Sequence, residues 1–245
     1  MDFATYVDHV RRDGRLLAAT ARGDLTAAVP SCPGWIVGDV VEHVAQVYDH
    51  KIQCTLLQAE PDPWPPAWPA DRDPVAWFAD AHDRLVAMFE ERGHAAPSAT
   101  WWPPDQTVGF WARRMAQETA VHRVDVQLGL GHATSVDPDL AVDGIDEVLA
   151  VFLAGDWSEA PADGCSGQRA AVAAGGRRWI VSLQPQSVEV AEGDAGDRPV
   201  EGTVEGSPSD LLLWLWGRAP DERVERHGDP ETLALLRGRL VLATQ

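Results

Sequence analysis

The chain has almost no lysine: of its 20 basic residues 19 are arginine, and Lys51 stands alone. Basic residues are themselves few against 38 acidic ones, which sets the formal net charge at −18. Both halves share the deficit, −7 for residues 1–134 (11 basic, 18 acidic) and −11 for 135–245 (9 basic, 20 acidic). No basic stripe exists to neutralise phosphates, so nucleic acid is excluded as the expected partner, and an anionic membrane surface with it. Cysteine is equally scarce. Cys32, Cys54 and Cys165 are odd in number and lack a CxxC spacing, so neither a disulfide framework nor a zinc knuckle follows. The sequence shows neither a charged-then-apolar leader nor a long apolar run, which leaves the cytoplasm as the expected location.

What is present is enough chain, at 245 residues, for one or two domains of about 150 residues each. Residues 2–22 place Phe3, Tyr6, Val7, Val10, Leu16 and Leu17 as an amphipathic helix does, and Gly23 ends it. The turn AVPSCPGWIVGD leads into a second helix from about Val37 to Ala59. Cys32 in that turn has no basic neighbour to lower its pKa and reads as a packed thiol. A proline-rich connection with two tryptophans (61–74) precedes a third helix, Val75 to Glu91, and is a candidate site wall. After a second turn-rich crossover (96–107), Val108 to Gly129 reads as a fourth helix. Four helices joined by long connections suggest a four-helix bundle over 1–134, an architecture that builds metal sites from side chains on facing helices.

Beyond Gly131 the pattern changes. A helix is expected over 143–155, then strands flanking the Gly175-Gly176 hairpin signal and in QSVEVAEG, RPVEGTVEG and ERVERHGD. Helices follow in SPSDLLLWLWGR (207–218) and after Pro230. Four or five short strands with three helices make residues 135–245 a small α+β domain with a mainly antiparallel sheet.

The chemistry centres on the fourth helix. Trp111, Met115, Glu118, His122 and Val126 share one face, so an apolar stripe carries a carboxylate and an imidazole. Such a carboxylate is costly to bury unless it is paired or binds a metal. A Glu–His hydrogen bond within a core is the bland reading of this pair. His43 on the second helix also lies among apolar positions (Ile36, Val40, Val44, Val47), where a histidine is more often a hydrogen-bonded core residue than a ligand. Taken together, His43 with Glu118 and His122 supplies two imidazoles and one carboxylate, a set that suits zinc or another divalent ion and leaves coordination positions open. Asp125, three residues on from His122, is either a support for that imidazole or a surface partner of Arg123. His50 falls near the side of His43, toward the helix end, and His82 reads as a boundary residue. A purely structural zinc would need a fourth ligand from one of them.

CPGWIVGDVVEHVAQVYDH, ETAVHRVD and SPSDLLLWLWGRAP, in that order over nearly the whole chain, resemble the mycothiol-dependent maleylpyruvate isomerase family. The Trp-x7-His and Glu-x3-His pieces are the more specific, the C-terminal piece the looser. The resemblance implies a DinB-like metal-binding bundle followed by a sterol-carrier-like α+β domain. It implies His43, Glu118 and His122 as metal ligands, zinc as the expected ion, and mycothiol as thiol cosubstrate. The implied activity is cis–trans isomerisation of a maleylpyruvate-like substrate, or a related thiol transfer. A dicarboxylate needs a cationic clamp, for which Arg218 is the first candidate and Arg237 and Arg239 the next. The strong acidity of the C-terminal half argues mildly against a dianion. The competing class is a DinB-like small-molecule binding or regulatory protein with a vestigial metal site. A small thiol and a small organic substrate are the expected partners, and a monomer the default state.

Overall fold

The structure, a computed structural model, describes residues 1–66, 72–161, 163–196 and 198–244. Residues 67–71, the end of the proline-rich connection read as a site wall, lie outside the described residues. The chain divides into two compact units, Met1–Thr134 and Ser135–Gln245.

The first unit is a bundle of α1 (Phe3–Ala21), α2 (Val37–Leu57), α3 (Pro74–Arg92) and α4 (Val108–Gly129). Each helix packs chiefly on two others, α1 on α3 and α4, α2 on the same pair, so α4 runs beside both α1 and α2. Val10, Leu17, Val40, Val44, Phe78, Leu85, Phe89 and Trp111 fill the interior. Local chemistry fixes where helices begin. Asp2 caps α1 by accepting from the Thr5 amide, and Asp73 caps α3 ahead of Pro74, whose missing N–H costs nothing in a first turn. At α2, which begins one turn after Pro33, the Asp39 carboxylate accepts from the Ile36 amide at 2.9 Å.

The second unit repeats the device. Asp137-Pro138 opens α5 (Pro138–Glu147), Ser207-Pro208 opens α6 (Pro208–Leu215), and Asp229 accepts from the Thr232 amide at the start of α7 (Pro230–Thr244). These helices accompany a six-stranded sheet of β1 (Gly155–Asp156), β2 (Gln168–Ala174), β3 (Arg177–Leu183), β4 (Ser187–Glu192), β5 (Gly202–Glu205) and β6 (Glu225–Gly228). Their order is β1-β4-β3-β2-β5-β6, antiparallel throughout except for β2 with β5. The β2–β3 hairpin turns through Gly175 and Gly176 at φ +58° and +78°, the left-handed pair that a two-residue turn demands. The expected mainly antiparallel α+β fold is therefore present, with one strand more than expected and one helix displaced. The helix expected over 143–155 starts instead at Pro138, where Asp137 caps it, and Val148–Leu153 widens into π-type turns before β1. Among the described residues no helix is long and apolar enough to cross a membrane.

Candidate metal centre

Helix α4 lies at the heart of its unit, buried on almost every side, and its interior side chains include Arg114, Gln117, Thr119, His122, Arg123, Asp125 and Gln127. So many buried polar groups must find partners, because each unsatisfied one costs about 1–3 kcal/mol. Most find them, on neighbouring elements or along α4 itself. Thr119 pairs with the Tyr48 hydroxyl of α2 at 2.5 Å, and the Trp111 indole donates to the Ser98 hydroxyl at 3.0 Å. Arg123 donates to Gln127 at 2.8 Å. The face turned to α2 carries Glu118 and His122.

There the donors meet. His43 Nε2 lies 3.3 Å from Glu118 Oε1, and His122 Nε2 lies 3.2 Å from the same oxygen. The three ligand atoms all fall within 4.8 Å of one another. Side-chain exposure falls from 36% at His43 through 15% at Glu118 to 10% at His122, so the cluster is open on the His43 side. The His43 and His122 rings meet edge to face at 5.0 Å between centroids, and Trp35 packs against the other side of His43 at 5.3 Å.

The backs of the ligands are held as firmly as their fronts. Arg114, one turn before Glu118, donates to Glu118 Oε2 at 2.9 Å and leaves Oε1 to face the imidazoles. Asp125, fully buried, lies 2.9 Å from His122 Nδ1 and accepts from the Ser31 hydroxyl at 2.6 Å. A hydrogen bond at Nδ1 fixes the tautomer that presents the Nε2 lone pair to a metal. Burial pushes the Glu118 carboxyl up, but His122, His43 and Arg114 outweigh it and hold it well below the usual carboxylate range. Burial likewise pushes His122 down, while Glu118 and Asp125 carry it up to about 9. The two shifts are the two sides of one ion pair, Glu118 with His122, that Arg114 and Asp125 reinforce from behind. Two imidazole nitrogens and a carboxylate oxygen, close together, part open and supported from behind, fit a divalent first-row ion with coordination positions to spare.

Comparison with known proteins identifies the family of the chain. Residues 8–127 match the model of the mycothiol maleylpyruvate isomerase N-terminal domain, and residues 139–235 match that of the MDMPI C-terminal domain. The chain belongs to the mycothiol maleylpyruvate isomerase family. Two solved structures, described as the crystal structure of the mycothiol-dependent maleylpyruvate isomerase and as a mutant of it, superpose with a TM-score of 0.60. Each is 14% identical, with 94% of this chain and 96% of that chain covered, and the likeness establishes a shared fold. No curated protein matches the sequence.

Within this family member the remaining candidate residues separate clearly. His82 is buried, not at a boundary, and its ring lies 3.2 Å from the Val10 carbonyl of α1 and from Asp83. His50 lies 3.1 Å from Lys51 Nζ and 3.4 Å from Cys54 Sγ. Neither joins the donor cluster, so among the described residues no fourth protein ligand closes it. In the second unit Arg218 donates to the Trp216 carbonyl at 2.6 Å, and Arg237 stacks on Trp214 at 4.9 Å. Arg239 is a correction to the sequence reading. It is buried and binds Asp163 at 2.6 Å, so its charge is spent on structure rather than offered to a substrate. Sequence reasoning missed Ser31 and Arg114. Arg114 sits one helical turn from Glu118, a spacing that could have revealed it. Ser31 is joined to Asp125 across 94 positions, and no local pattern announces it.

Proposed function

We propose that this protein is a metal-dependent enzyme that uses a low-molecular-weight thiol, mycothiol, to isomerise the cis double bond of a maleylpyruvate-like 2-oxo acid. The observation that carries the reading is the convergence of His43, Glu118 and His122 within 4.8 Å on an open side of the bundle. We take these three as the metal ligands and zinc as the ion. Membership of the isomerase family supports the thiol and the substrate class. A cytoplasmic setting belongs to the same reading and is consistent with three cysteines that are all free.

A free thiol has a pKa of about 8.5 and is mostly protonated at neutral pH. A bound divalent cation supplies the Lewis acidity that makes the thiolate the prevailing form. The chain's own residues do the positioning. Asp125 and Ser31 hold His122, Arg114 holds Glu118, and Trp35 limits the swing of His43. In the isomerisation the thiolate sulfur bonds to one alkene carbon while the π electrons move onto the conjugated ketone. The resulting C–C single bond rotates, the electrons return, and the thiolate leaves from the trans isomer. Nothing is consumed. Arg218 remains our proposed clamp for a substrate carboxylate, which predicts a higher KM in Arg218→Ala.

The test is to load the purified protein with zinc, add mycothiol and maleylpyruvate, and follow cis-to-trans conversion. Conversion that disappears in His43→Ala and His122→Ala, together with bound zinc, supports the reading. Stoichiometric zinc without conversion would move it to another thiol transfer, and no stoichiometric metal in wild type would leave only a binding protein.

A further inference from the structure

The only lysine of the chain, Lys51, is on the same helix as His43, and among the described residues it forms no salt bridge. Lys51 is on α2, eight residues after His43, which places it about two turns along at about 1.5 Å per residue. The ammonium sits 4.5 Å from the centroid of the Trp111 ring, and Trp111 is on the α4 stripe that carries Arg114 and Glu118. Among the described residues the Lys51 ammonium has one hydrogen-bond partner, His50 Nδ1 at 3.1 Å. Burial pushes the His50 imidazole down to about 4, with the Lys51 charge adding to it, so at neutral pH this ring is an uncharged acceptor.

A protonated amine in such a place is expensive. Burial pushes the Lys51 pKa down, and the nearby charges pull in both directions, Cys54, Glu118 and Glu60 upward and Arg114 downward. Yet among the described residues no carboxylate lies within salt-bridge distance of it. The contrast with its neighbour is plain. Arg114 is committed to Glu118 at 2.9 Å, whereas Lys51 has no such carboxylate partner among the described residues. A lone ammonium over an aromatic face, in a chain with so many acidic residues to offer as partners, has the features of a group kept for an anion from outside.

Granting the isomerase reading above, we propose that Lys51 binds a carboxylate of the substrate, the one remote from the carbon that the thiol attacks, and so selects dianionic over monoanionic substrates. Lys51 would then be a specificity residue, its ammonium positioned over the Trp111 ring. Lysine suits this role because its compact charge tolerates a single off-axis carboxylate oxygen, where arginine demands a planar, two-pronged approach.

The test uses the zinc-loaded full chain and isothermal titration with maleate, a dicarboxylate, and crotonate, a monocarboxylate. Wild type is expected to bind maleate at least about tenfold more tightly than crotonate, the gain of one charge-assisted contact. Lys51→Met should lose that preference, with zinc content and circular dichroism unchanged, and Lys51→Arg should keep part of it. In turnover, Lys51→Met should raise KM for maleylpyruvate more than it lowers kcat. The proposal is overturned if wild type shows no preference for maleate, or if Lys51→Met binds both acids as wild type does. Should Lys51→Met lose its zinc, the preference in wild type and in Lys51→Arg decides. Lysine-dependent maleate binding without any isomerisation would overturn the isomerase reading while keeping Lys51 as a carboxylate site.

Discussion

The two units bury their polar groups very differently. Thirteen of the seventeen buried polar or charged residues described lie in the bundle, seven of them on α4, and the second unit has only Glu147, Ser209, Thr232 and Arg239. The second interior is built mainly for cohesion, from Leu140, Leu149, Val172, Val181, Leu211, Leu212, Trp214 and Leu236. The first accepts desolvated carboxylates, imidazoles and guanidiniums that an aliphatic core of equal volume would avoid. The excess is gathered on one helix, where Arg114, His122 and Asp125 join Glu118 in one connected set while Arg123 and Gln127 pair with Thr134. The connected set is what the proposed metal site would require.

Removing ligands strikes the difference hardest. His43→Ala or His122→Ala should abolish stoichiometric zinc, read by elemental analysis, while leaving the bundle folded by circular dichroism. Retention of full zinc in either variant would mean that the polar interior of α4 serves packing after all.

The second unit offers the counter-experiment. Arg239→Met removes the buried guanidinium together with its bonds to Asp163 and to the Ser187 and Pro185 carbonyls, and should cost about 1–3 kcal/mol in chemical denaturation of that unit without altering zinc content. The same pair carries a pH signature. The Arg239 hydrogen bond, together with the Cys165 amide, holds the Asp163 carboxyl well below its ordinary value despite partial burial. A folded-state pKa depressed in this way stabilises the protein above the unfolded value near 3.9, and the benefit is lost as pH falls below it. Wild type should therefore lose stability more steeply than Arg239→Met between about pH 4 and pH 2. Equal slopes would remove the pair from the account.

A finer probe separates holding a ligand from being one. Asp125→Asn keeps size and shape but weakens the grip on His122, and zinc affinity should drop by about 10- to 100-fold in a competitive chelator titration. Ser31→Ala should drop it less, since Asp125 keeps its bond to the ring.

The smallest effect tests close packing alone. A Cβ at Gly14 would stand 2.4 Å from the His82 ring. Helix propensity favours Gly14→Ala by up to about 1 kcal/mol, yet the clash should win and leave a net loss of about 1–2 kcal/mol. A stabilised variant would show that His82 moves aside freely.

Much of this was legible in the chain. Periodicity located the four bundle helices to within about two residues, since Asp73-Pro74 and the glycines at 93 and 23 punctuate them in the usual way. His43, Glu118 and His122 could be nominated because helical spacing put each among apolar neighbours. What remained hidden depended on distance along the chain. That Ser31 reaches Asp125, that Thr119 meets Tyr48, and that His82 is sealed against α1 rather than lying at a boundary are consequences of packing between helices. The start of α5 at Pro138 was missed for a local reason. Its cap, Asp137-Pro138, sits inside a stretch rich in turn-forming residues and reads as linker until the helix is seen.

One lysine among twenty basic residues also turns the protein into its own reporter. Reductive methylation with carbon-13 formaldehyde marks primary amines, so apart from the α-amino group a single dimethylamine resonance should arise, from position 51. Its chemical shift as acids are titrated in would give a direct spectroscopic view of the groove, with no substitution made at all.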